Sequence, residues 1–86
     1  MTFIHLKVRA AMLVHGYDSQ QQEIVEHAAA TEFAEKLIRI ERIQSITERY
    51  LLVTGAFGRM MYWEYAEDFA TVKQRLDAAG LLLDAD

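Results

Sequence analysis

The chain has 86 residues, 52% of them hydrophobic, with no cysteine, no proline, and a formal net charge of -4 from 13 acidic and 9 basic side chains. So short a chain folds around one small core, which predicts a single domain over 1–86; the missing cysteines exclude disulfides, thiolate catalysis and cysteine-held zinc. The acidic balance withholds the general attraction to phosphate that sequence-independent nucleic-acid binding needs, and the apolar fraction is too high for a disordered acidic tail.

Near the start, Ile4, Leu6 and Val8 alternate with His5, Lys7 and Arg9, the period of a strand with one buried and one wet face. The strand is predicted to extend as far as residues 12–14. The same charged residues interrupt the opening run, which therefore lacks the apolar stretch of a signal peptide or membrane span; a soluble, cytoplasmic protein is the expectation. Residues 16–19, Gly-Tyr-Asp-Ser, supply a turn in which Asp18 or Ser19 can cap a helix. The stretch that follows is rich in alanine, glutamate and glutamine, with Val25, Ala29, Phe33 and Leu37 at helical spacing. It predicts a helix over about 19–36.

Isoleucines at 38, 40, 43 and 46 fit neither a regular strand nor a regular helix. Their β-branching favours a strand interrupted by a bend or bulge near Glu41 and Arg42, with continuation of the helix to about 47 as the alternative. Within 50–65, two apolar, aromatic-rich runs flank a short segment holding Gly55 and Gly58, the composition of a hairpin loop. Phe69, Val72 and Leu76 then share one helical face, with Asp68 as cap, Lys73 and Arg75 toward the far end and Gly80 as stop. That pattern predicts a helix over 68–79. Three leucines at 81–83, in the tail 81–86, need a cover, either as a short returning strand or as a partner surface. The sum is an α+β domain: an antiparallel sheet of about four strands with helices over 19–36 and 68–79.

Leu37, Ile38, Ile40, Ile43, Ser45 and Ile46, followed by the run 50–53 and then by Tyr65, Glu67, Asp68 and Val72, resemble the pattern of small bacterial and phage-borne accessory proteins of the flagellar FlbD type. The resemblance covers residues 37–76. It implies a small antiparallel sheet with a C-terminal helix, a regulatory or accessory role, a phage or mobile-element setting, and no catalytic residue.

Chemistry-bearing patterns are sparse. Glu23, Glu26 and His27 would gather on one side of a helix like part of an inverzincin motif, yet the first histidine of that motif is missing and a third ligand would have to come from elsewhere. The simpler reading is a solvated face with an i, i+4 pair. His5 and His15 have no serine or cysteine placed to use them as a base, and Ser19 and Ser45 stand in no nucleophile elbow. The Gly-Ala-Phe-Gly segment precedes a strand instead of a helix and lacks the lysine of a phosphate loop, so it reads as a hairpin turn. No enzyme, metal, cofactor or small-molecule substrate is implied.

Residues 60–65 offer more. On a strand, Met61, Trp63 and Tyr65 take one side, read as core, and Met60 and Tyr62 the other. With Phe57 at the loop tip and Arg59 beside it, they make a candidate protein-binding patch, unless the 19–36 helix lies over it. Phe57, Arg59, Met60 and Tyr62 are the predicted partner-binding residues, for a homodimer or a docked protein. A nucleic-acid-associated regulator using Arg39, Arg42, Arg49, Arg59 and the sheet aromatics is the alternative; Glu41, Glu48 and Glu64 among those arginines weigh against it.

Overall fold

A computed structural model describes residues 2–29 and 31–83. Six strands and one α-helix follow one another as β1 (Phe3–Tyr17), β2 (Glu23–His27), β3 (Ala34–Arg39), β4 (Ile43–Ile46), β5 (Tyr50–Thr54), β6 (Met60–Tyr65) and α1 (Phe69–Ala78). A short 3₁₀ turn at Ile40–Arg42 joins β3 to β4, and a tight turn at Ala56–Gly58, with Phe57 and Gly58 at positive φ, joins β5 to β6. This corrects the predicted architecture: the fold is dominated by sheet, with six strands instead of about four and one α-helix instead of two.

The error lies in residues 19–36. The helical stripe drawn through Val25, Ala29, Phe33 and Leu37 would have to be buried, yet none of the four is buried and Leu37 is 64% exposed. The segment instead runs back along β1, with β2 paired to its second half and β3 to its first. Helix propensity differs among these residues by only tenths of a kcal/mol each, and the backbone ladder against β1 outweighs it. Asp18 explains the misreading. Its Oδ1 accepts hydrogen bonds from the backbone N–H groups of Gln20 (2.8 Å) and Gln22 (3.0 Å), which closes a hairpin turn with the same local chemistry that caps a helix.

All pairing is antiparallel, in the order β2-β1-β6-β5-β4. Val8 pairs with both Ala34 and Tyr65, so β3 lies on the side of β1 away from β6, in line with β2. Four strand steps, about 19 Å in a flat sheet, therefore separate β3 from β4, while the three-residue link between them rises about 6 Å. The sheet must curl into an incomplete barrel, and the core fills its concave side. Ile4, Leu6, Val8, Ile38, Leu51, Val53, Trp63 and Tyr65 are buried there, and α1 covers them with Val72 and the half-buried Leu76. The Lys36 ammonium, 4.1 Å from the ring centre of Trp63, and the Arg42 guanidinium, 5.7 Å from it, seal the indole against water where no helix reaches.

A bulge in β1 between Ala10 and Met12 changes which side chains face inward. Before it the even positions Ile4, Leu6 and Val8 point to the core; after it Leu13 pairs with Met61 on the inner side, while Met12 and Val14 pair with Tyr62 and Met60 on the outer side. The bulge also bends the strand. Fifteen extended residues would span roughly 46 Å, and the longest dimension of the molecule is 41 Å.

Where β6 ends, two side chains take over as partners for the free edge of β1. The Glu67 carboxylate accepts from the Lys7 N–H at 3.1 and 3.2 Å, and Arg75 Nη1 donates to the His5 carbonyl at 2.9 Å. Glu67 and Arg75 also approach each other at 3.5 Å, which ties α1 to the strand it covers. The tail leucines diverge: Leu82 is half-buried against α1, and Leu83 is 97% exposed. Residues 84–86 of the predicted tail lie outside the described residues. Among those described, no helix is long and apolar enough to cross a membrane.

Candidate interaction surface

Because α1 packs on the concave side, the convex side of the sheet carries no helix among the described residues. Strand alternation brings Met12 and Val14 from β1, Val25 from β2, Tyr50 and Leu52 from β5, and Met60 and Tyr62 from β6 onto it. Each is half-buried by its neighbours alone. Tyr50 and Tyr62 meet edge to face at 6.2 Å and 77°, and the Tyr62 hydroxyl donates to Glu23 at 3.2 Å. Burial first, then the adjacent Glu23 charge and that hydrogen bond, raise the Tyr62 pKa above its ordinary value. The phenol therefore remains a protonated donor at neutral pH.

Glu64 anchors the middle of this face. Arg9 Nη2 lies 2.9 Å from its Oε1 and Arg49 Nη2 3.0 Å from its Oε2. The hydrogen bond from Arg49 is the largest cause holding the Glu64 carboxyl below its usual range, and the bond from Arg9 adds to it. Both arginines also lie over rings, Arg9 at 4.2 Å from Phe33 and Arg49 at 5.4 Å from Tyr50.

At one end of the face the β1–β2 and β5–β6 hairpins finish side by side. A cleft of about 240 Å³ opens between them, lined by Val14, Tyr17, Glu23, Leu52, Arg59 and Met60, with Gly16 and Gly58 at its rim. Phe57 stands at the tip of the second hairpin, fully exposed and with φ 59° and ψ 27°. That conformation costs a bulky L-residue roughly 1–2 kcal/mol.

Of the predicted partner residues, Met60 and Tyr62 share the outer face, Arg59 lines the cleft at its end, and Phe57 projects beside them. Met61 is half-buried, and Trp63 and Tyr65 are buried on the inner side. The Tyr65 hydroxyl donates to the Thr47 carbonyl. The sequence reading missed Met12, Val14, Tyr17 and Glu23. Val14, Tyr17 and Glu23 line the cleft, and Met12 lies on the face beside it, because 23–27 is a strand and because β1 is irregular between Ala10 and Met12 and again between Val14 and Tyr17, breaks that leave no polar signature.

The metal reading fails on geometry. On a strand Glu23 and His27 lie roughly 13 Å apart, and Glu26 points to the opposite side, 3.1 Å from His15 Nε2. Among the described residues no three His, Asp or Glu side chains are grouped to hold an ion. No protein-family model, curated protein or solved structure matches the chain.

Proposed function

We propose that this chain is a non-enzymatic interaction protein that docks a protein partner on the convex face, at the end where the two hairpins meet. The carrying observation is Phe57. A phenylalanine that buries nothing and holds a left-handed backbone conformation gains no stability from either feature, and strain kept where folding does not need it points to a contact made with something else. Glycine or asparagine would serve the turn better. The neighbouring Met60, Tyr62 and Tyr17 are of the residue types enriched where proteins bind one another, and the cleft gives an anchor side chain a pocket to enter.

A protein partner suits this face better than nucleic acid. Three of the four arginines suggested for phosphate contacts are engaged, Arg49 with Glu64, Arg42 with the Thr54 carbonyl at 2.8 Å, and Arg39 near Glu41 at 3.9 Å. A regulatory role of the FlbD type is compatible with such a docking module and belongs to this proposal.

The test is capture with the wild-type chain, purification of the captured protein, and rebinding against Phe57→Ala and Tyr62→Ala. Each substitution is expected to weaken binding by about tenfold or more while the circular dichroism stays that of the folded chain. Rebinding that neither substitution alters would remove the proposal. A mobility shift of short nucleic acids at low salt, lost steeply as salt rises, would favour the nucleic-acid reading instead.

A further inference from the structure

An anchor and a pocket stand side by side on this one chain. Phe57 is fully exposed at the tip of the β5–β6 hairpin, so it does not enter the cleft of about 240 Å³ that opens between that hairpin and the β1–β2 hairpin. A closed apolar cavity of about 150 Å³ already holds a benzene ring, and the cleft therefore has room for a phenylalanine side chain. Its walls suit one. Val14, Leu52 and Met60 present aliphatic and thioether surface, and Tyr17, 67% exposed, offers a ring for another ring to pack on. The charges at the cleft are likewise unmatched. Among the described residues the Arg59 guanidinium has no carboxylate or other acceptor, and the Glu23 carboxylate takes only the neutral Tyr62 hydroxyl. Both side chains line the cleft, yet they make no ion pair with each other.

A foreign partner would need a pocket for Phe57, a side chain for the cleft, an anion for Arg59 and a cation for Glu23, all placed to match. A second copy of this chain carries all four. In a two-fold pair whose axis passes between Phe57 and the cleft, each copy's Phe57 enters the other's cleft and each Arg59 faces the other's Glu23, so every contact is made twice. We infer that the occupant of the convex face is a second copy of this chain, held about a two-fold axis by reciprocal insertion of Phe57. This rests on the proposed use of the face and names its occupant.

Sedimentation of the full chain across a wide concentration range tests it. The wild type is expected to form a dimer, and Phe57→Ala and Arg59→Glu should each weaken it by about tenfold or more, while Trp63 emission remains that of a buried indole. Val14→Tyr places a ring in the cleft and should weaken self-association as much. Mixing separates reciprocal insertion from any other contact at this face. When Phe57→Ala meets Val14→Tyr, the intact Phe57 of one chain faces the intact cleft of the other, so an equimolar mixture should associate more tightly than either variant alone. A mixture no tighter than its components would overturn the inference, as would a dimer indifferent to Phe57→Ala. A folded wild-type monomer at every concentration would overturn it too. If Phe57→Ala then still weakened rebinding of a captured foreign protein, the proposed function would stand without it; if neither assay responded, both would fall.

Discussion

Glu64 shows how much a single side chain organises here. Its carboxylate joins Arg9 of β1 to Arg49 just ahead of β5 across the outer face, and without it two guanidinium groups would face each other. Its pKa in the folded chain lies below the ordinary 4.5. The stabilisation is therefore present in full above about that pH and is lost as pH falls through the lower folded value. Glu64→Gln is expected to lower the thermal midpoint at pH 7, with the gap to wild type closing as the pH is taken below 4.5; a gap that persisted in acid would mean the ion pairs contribute nothing. Phe57 gives the opposite kind of test. Phe57→Asn keeps a residue that tolerates the left-handed conformation, so stability measured in urea should be unchanged or higher by up to about 1 kcal/mol. At the centre of the core, Leu6→Ala empties a fully buried site and should cost about 2–5 kcal/mol in the same measurement.

The elements are held by pairing more than by their own preferences. β1 is the spine: β2, β3 and β6 all lie against it, and Glu67 continues the pairing where β6 stops. Glu67→Ala leaves the Lys7 N–H without its carboxylate and loosens α1, an expected loss of about 1–3 kcal/mol seen in urea unfolding. α1, at ten residues, is too short to be stable alone and depends on Val72 and Leu76 reaching the core. The alternation at 4–8, the break in the isoleucines near Glu41 and Arg42, the hairpin around Gly55 and Gly58, and a helix near 68–79 were all legible in the residues, because each rests on short-range periodicity or turn chemistry. The segment 19–36 was not. Its composition favours a helix weakly, and what makes 23–27 and 34–36 sheet is pairing with β1, from 6 to 30 residues away along the chain.

As a whole the molecule is a curled sheet with one side filled and the other bare, and a helix that covers only part of the concave side. Lys36 and Arg42 complete that cover over Trp63, the one tryptophan of the chain. Lys36→Ala is expected to shift Trp63 emission to longer wavelength without unfolding the protein, and emission that did not move would mean the ring is sealed by other groups.

Sequence by itself determined the composition limits, the inward set at Ile4, Leu6 and Val8, the inward placement of Trp63 and Tyr65, and the split of Met60 and Tyr62 to the other side, since alternation along a strand is a local property of the backbone. Tertiary structure alone decided that residues 23–27 and 34–39 return as strands, that the bulge at 10–12 turns Met12 and Val14 outward, and that the two hairpins end together around a cleft. Those outcomes depend on which strand lies beside which. Pairing between distant segments is a property of the closed sheet, and no window of the chain contains it.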